Sequence, residues 1–331
     1  MNLDIIILVC NKYEIGRLPE VTTHIKTREW LKPYFNNIII VNNSDNECQE
    51  IENTVLINVG YNSGAMRGRL FGLDKSNADY VWFIDGDDDI NIKFDGDIDF
   101  INTGKDFYQF ACRWKEKDFS LEALTFWIWD KFLNRKRLIE VLKPYTDKYK
   151  EQEFSLCEDL FVIHLMLQSN YTYEIYNKVL YYNCPLRPLS DNDRRLKLTE
   201  QADIYVGRLK IFLNMWREFV HQKFVYDEFA DNLGSANDGP FDLLYLFQYI
   251  FMKMNLLECD KAEDIPTSIY NLMMAAKKVC PKVEYDVFIV NDYIIKWIQK
   301  KEGKLPLDFA FKYEKAFDLA QKYGEEMNGK G

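Results

Sequence analysis

The run DGDDD at residues 85–89 sets four carboxylates within five positions, directly after the apolar stretch YVWFI. Four readings compete for it. A solvated turn is the default for any acidic run. An EF-hand loop fails twice: counted from Asp85, position 6 is Ile90 where glycine is needed, and position 12 is Gly96 where glutamate is needed. A two-metal nuclease or phosphatase site would need further carboxylate or histidine ligands, which the sequence leaves open. The fourth reading is a divalent-metal anchor for a nucleotide diphosphate. Asp85 and Asp87, separated by the small Gly86, can aim two carboxylates at one Mg²⁺ or Mn²⁺ while the backbone stays close to the ligand. On spacing alone a D-x-D is a weak signal, and DGDID at 95–99 repeats the spelling after a poorer strand. The first copy is favoured because a buried strand fixes it. Asp88 is read as a supporting member and Asp89 as solvated.

A second acidic pair, Glu158-Asp159, precedes the apolar run LFVIHLML. By itself Asp159 reads as a helix N-cap or first-turn carboxylate. Trp129 reads equally as core or as a sugar platform, and Lys131 as a surface partner for a nearby carboxylate. His164 lies within the apolar run and reads as packed. Cys10 and Cys157 have no paired base beside them, so no thiol chemistry is expected.

The elements that must position these residues are legible in the first part of the chain. DIIILVC, NIIIVN at 37–42, NTVLINV at 53–59 and DYVWFI read as strands buried on both faces. Between them Leu18, Val21, Ile25, Trp30, Leu31 and Phe35 recur near helical spacing, and a helix is expected to start near Gly64. Strands alternating with helices predict an α/β fold, a parallel open sheet with helices on both faces. Ligands bind such sheets outside the carboxyl ends of the strands, which is where DGDDD stands.

Composition narrows the partners. The 331 residues carry a net charge of −10, so duplex nucleic acid is an unfavourable partner. Seven scattered cysteines without a CxxC argue for reduced thiols in a cytoplasm, and three histidines without HExxH argue against a histidine-based metal site. The N-terminus lacks the basic and cleavage regions of a signal peptide. The longest apolar segment, LLYLFQYIFM at 243–252, is too short to span a bilayer. The expectation is a cytoplasmic protein, at most peripheral to the membrane.

LDIIILVCNKYE, NIIIVNNSD, NSGAMRGRLFGL, ADYVWFIDGDD and SLCEDLF occur in this order over about the first 190 residues. Together they resemble the GT-A glycosyltransferases of family 2, which transfer a sugar from a nucleotide-sugar with inversion. The resemblance implies a Rossmann-like GT-A fold and a site. Cys10, Asn11 and Glu14 would line the turn facing the nucleoside. Asn42 and Asn43 take the place of an acidic pair that reads the base, which leaves base preference open around a UDP-sugar as first choice. Asn62 and Arg69 would lie along the nucleotide, Gly68 standing where the family prefers alanine. Asp85, Gly86 and Asp87 match the D-x-D, with Asp87 and Asp85 as ligands of Mn²⁺ or Mg²⁺. Trp129, Lys131, Glu158, Arg187 and Ser190 would lie on the acceptor or diphosphate side, and Asp159 matches the catalytic base.

The implied activity is transfer to a hydroxyl of a glycan or lipid-linked acceptor, in bacterial surface polysaccharide synthesis. The alternative is a degenerate GT-A domain serving as a nucleotide-sugar-binding or scaffold module. A nucleotidylyltransferase or Rossmann oxidoreductase would need a glycine-rich entry that VCNKYEIG does not supply. The division expected is a GT-A domain over 1–200 and a mostly helical region over 201–331. That region would supply an acceptor, homodimer or peripheral membrane contact.

Overall fold

Leu3–Val9 (β1) is buried along its whole length because it is the centre of the parallel part of the sheet. Phe35–Asn42 (β2) pairs with it on one side and Tyr80–Asp85 (β4) on the other, both parallel, and Val55–Asn58 (β3) extends the sheet beyond β2. The computed structural model describes residues 2–183 apart from 115–116, 120–123, 126, 150–153 and 155–157. Beyond them it describes positions 211, 215, 218–219, 318, 321–322, 325–326 and 329.

Past β4 the sheet changes character. Asp89–Ile90 (β5), Phe107–Trp114 (β6), Lys117–Phe119 (β7), Lys131–Asn134 (β8) and Tyr173–Asn183 (β9) complete it in the order β3-β2-β1-β4-β8-β6-β9-β5, with β7 on β6. β8 is antiparallel to both β4 and β6. The sheet is therefore mixed, and the expectation of a parallel sheet holds for its first four strands.

The helices are Lys12–Lys26 (α1), Ala65–Lys75 (α2), Arg135–Tyr149 (α3) and Glu158–Gln168 (α4). α1 ends well before the apolar spacing does. Trp30 and Leu31 are buried in the turns that follow, and Phe35 opens β2. Trp82 of β4 is fully buried, edge-on to Phe110 at 5.3 Å and Phe132 at 5.2 Å, which locks β4 against β6 and β8.

The chain divides into two compact units, Met1–Asp191 with Asn214–Gln222, and Asn192–Leu213 with Lys223–Gly331. Everything described below lies in the first. The apolar segment at 243–252 and most of the expected C-terminal helices lie outside the described residues. Among the described residues no helix is long and apolar enough to cross a membrane.

Candidate active site

Register brings the strand ends together. Leu8 aligns with Asp85, Val9 with Asn42, and Asn42 with Asn58, so β1 to β4 finish along one edge. The side chains just past those ends must meet there.

The turn after β1 is a helix cap. Asn11 Oδ1 accepts from the N–H groups of Tyr13 at 3.0 Å and Glu14 at 3.1 Å, and Glu14 reaches back to the Cys10 N–H at 2.5 Å. This reciprocal arrangement satisfies donors that the first turn of α1 would otherwise leave open. It also holds the Glu14 carboxylate close to Asp85 and Asp87. Burial, then the charges of Asp87 and Asp85, push Glu14 up to about 7 against the opposing Cys10 N–H. Burial foremost, with Glu14 and Asp85, pushes the Cys10 thiol up to about 12, which leaves it without nucleophilic character.

Gly86 explains how the acidic turn reaches so close to β1. Its N–H donates to Leu8 O at 2.8 Å. A Cβ there would stand 2.5 Å from Val9 Cγ1 and 2.8 Å from Leu8 O, so no side chain fits. At Gly68 a Cβ would come within 2.5 Å of Leu8 Cδ1 and 3.2 Å of Asn43 Nδ2, which accounts for glycine where alanine was expected.

Asn42 and Asn43 are buried, and both spend their amides on the protein. Asn42 Nδ2 donates to Asn46 O at 2.7 Å and Asn58 Oδ1 at 2.9 Å, while its Oδ1 accepts from Ser44 at 2.7 Å. Asn43 accepts from the Ser63 N–H at 3.0 Å and donates to Gly64 O at 3.1 Å. Asn62 is exposed, and its Oδ1 accepts from the Gly64 N–H at 3.0 Å ahead of α2. These three amides shape the loops around the strand edge.

Arg69 is the hub of the site. It projects from α2, is 5% exposed, and bonds Asp159 at 2.8 Å, Glu158 at 3.0 Å and Asp85 at 3.2 Å. One buried guanidinium thus joins the end of β4 to the start of α4. Its Nε–H has no acceptor among the described residues. Asp159 also accepts from the Ile128 N–H at 3.4 Å. Burial raises Asp159 to about 7 although Arg69 opposes it; Glu158 and Asp85 add to the rise.

Two expected roles meet obstacles. Trp129 is sandwiched, stacked on Trp127 at 4.8 Å and on Tyr181 at 4.6 Å, so both faces of the indole are covered. It is core, and a sugar cannot stack on it as it stands. Lys131 is fully buried, not on the surface. Its Nζ serves Asp130 at 2.6 Å, Thr125 at 2.8 Å and Trp127 O at 2.6 Å. Arg187, Ser190 and Cys157 lie outside the described residues.

Asp89 also departs from expectation. It is buried, not solvated: Oδ2 lies 2.8 Å from His24 Nδ1 and 3.7 Å from Arg17 Nη2. Asp88 accepts from the Tyr181 hydroxyl at 2.7 Å. Arg17 Nη1 donates to the carbonyls of Asp87 and Asp88. Arg17 and Tyr181 thus hold the acidic turn, and no local motif marks either of them. The second acidic copy, Asp95 and Asp97, is exposed in a loop. His164 is buried as expected, and burial lowers it to about 4.

Asp85 and Asp87 carry the donor chemistry of a divalent site: both offer hard oxygens beside the Gly86 cradle. Asp85 pairs with Arg69 and keeps 34% of its side-chain surface exposed, whereas Asp87 is buried. Mg²⁺ and Mn²⁺ sites of this kind take a carboxylate or two from the protein and the remainder from phosphates and water.

Comparison with known proteins bears on the fold. Residues 4–147, under half of the chain, match glycosyl transferase family 2. No curated protein matches the sequence. Among solved structures, residues 1–349 of S. aureus TarS in complex with UDP-GlcNAc align at 13% identity and TM-score 0.53. That alignment covers 92% of this chain and 93% of that one. TarS 1–349 in a separate crystal structure aligns at 12% identity and TM-score 0.49, covering 100% of this chain and 92% of that one. Against a third crystal structure, of S. aureus TarS, the identity is 13% and the TM-score 0.47, with 98% of this chain and 55% of that one covered. Over residues 4–147 the chain is thus similar to glycosyl transferase family 2, and its fold is the GT-A fold.

Proposed function

We propose that this domain is an inverting, metal-dependent glycosyltransferase that moves a sugar from a UDP-sugar to a hydroxyl of a glycan or lipid-linked acceptor, in the synthesis of bacterial surface polysaccharide. The observation that carries the reading is the Arg69 hub, which sets the first D-x-D carboxylate and Asp159 on one guanidinium. A donor anchored at Asp85 and Asp87 would have the base within reach. The TarS fragment is solved with UDP-GlcNAc, which makes that sugar nucleotide the first donor to try.

In the proposed reaction Asp159 takes the proton of the acceptor hydroxyl as its oxygen forms a bond to C1 of the sugar. The bond from C1 to the diphosphate oxygen breaks on the opposite face, and the nucleoside diphosphate leaves with that electron pair. Asp85 and Asp87 would hold Mg²⁺ or Mn²⁺, whose charge offsets that of the diphosphate. Arg69 is a positioning residue here: it orients Asp159 and keeps a share of it ionised near neutral pH. The test is nucleoside diphosphate release across a panel of UDP-sugars by the wild type and Asp159→Asn. Release confined to the wild type, with UDP binding equal in both, supports the reading. Equal release by both removes Asp159 from its role.

A further inference from the structure

We propose that Glu20, His24 and Asp89 form a binding site for a first-row divalent cation of the zinc type, separate from the Asp85–Asp87 pair. Each residue offers one ligand atom, and the three atoms lie within 4.8 Å of one another. Two come from α1, where Glu20 and His24 are four residues apart and so share a helix face. The third comes from β5, whose backbone pairing of Asp89 with Tyr182 fixes its position.

The donor set suits the ion. Imidazole nitrogen and carboxylate oxygen are both zinc donors, and three protein ligands leave a fourth position for water. His24 Nδ1 already faces Asp89 Oδ2 at 2.8 Å, and Asp89 Oδ1 is taken by the Ile90 N–H at 2.8 Å. Oδ2 is the oxygen that meets His24 Nδ1, so a cation would take the place of the proton the two now share. Glu20 makes no hydrogen bond or ion pair among the described residues, although its carboxylate lies beside that pair. Arg17 stands beside the site, with Nη1 on the Asp87 and Asp88 carbonyls and Nη2 paired with Asp89 Oδ2 at 3.7 Å, and a bound cation would have to displace that ion pair.

Such an ion would tie α1 to the turn that carries the D-x-D. The site does not depend on the proposed transfer reaction, because none of its ligands is assigned to donor or acceptor. The test is Co²⁺ titration of the full chain without nucleotide, followed by visible d–d absorption and by displacement with Zn²⁺. The expected result is saturation at a single equivalent in the wild type and in Asp87→Asn. Glu20→Gln, a change at an exposed position that leaves folding intact, should weaken binding about tenfold or more, because altering even an outer-shell partner commonly costs that much. His24→Gln should abolish it. Unchanged binding in Glu20→Gln and His24→Gln would overturn the proposal. So would loss in Asp87→Asn, which would place the ion at the other pair, or a thiolate charge-transfer band, which would place it on cysteine.

Discussion

At the scale of single residues, the proposed chemistry rests on carboxylates whose ionisation is set by burial. Asp159 lies at about 7 with Arg69 opposing the rise, and as the proposed base it would have to be ionised to take a proton. Transfer should therefore rise with pH along an acid limb centred near 7, read as kcat/KM against pH. Arg69→Met removes the opposing charge, so the limb should move to higher pH; a limb that stays in place would show that Arg69 does not act through Asp159. Asp159→Asn should cost roughly 10²–10⁴ in rate, the range a positioned acid–base group supplies. Stability should move the other way. A carboxyl raised from its ordinary 3.8 to about 7 contributes stability that is fully present below 3.8 and lost as the pH rises through 7. Asp159→Asn should accordingly raise Tm relative to wild type at pH 8, and the gain should vanish near pH 4. An equal gain at both pH values would refute the burial argument.

At the scale of elements, the close approach of β4 to β1 decides whether the acidic turn is in place. Gly86→Ala drives a methyl onto Val9 and the Leu8 carbonyl. It should destabilise by about 1–3 kcal/mol in a urea melt, the usual cost of overpacking. Nucleotide affinity should fall with it; a stable variant with unchanged affinity would show that the turn can move freely. β1, β2 and β4 were legible because strands buried on both faces must be continuously apolar. The end of α1 was not, because Trp30, Leu31 and Phe35 prolong the apolar spacing through turns whose direction tertiary packing sets. The strands of the second half lie among polar positions such as Gln109, Asn177 and Lys178, which mask any simple period. Within the site, the D-x-D and the Glu158-Asp159 pair stood out by residue type and order. The burial of Asp89 did not, because His24 and Arg17 come from α1, far away in sequence. The saturation of Asn42 and Asn43 was hidden too, since an amide that shapes a loop reads the same as one that meets a ligand.

At the scale of the whole molecule, the chain carries a net charge of −10, and the leaving group of the proposed transfer is a diphosphate that gains a negative charge as it departs. Arg69 is already shared by Asp85, Glu158 and Asp159, so in the proposed reaction a divalent cation at Asp85 and Asp87 would have to offset the charge of the diphosphate. The measurement that tests this most directly is calorimetric titration of the full chain with UDP-GlcNAc and other UDP-sugars, in Mn²⁺ and again in EDTA, for the wild type and Asp87→Ala. The account predicts that at least one UDP-sugar binds the wild type with Mn²⁺, and that binding is lost with EDTA and in Asp87→Ala. Binding that survives both, or a panel in which no UDP-sugar binds, would contradict it.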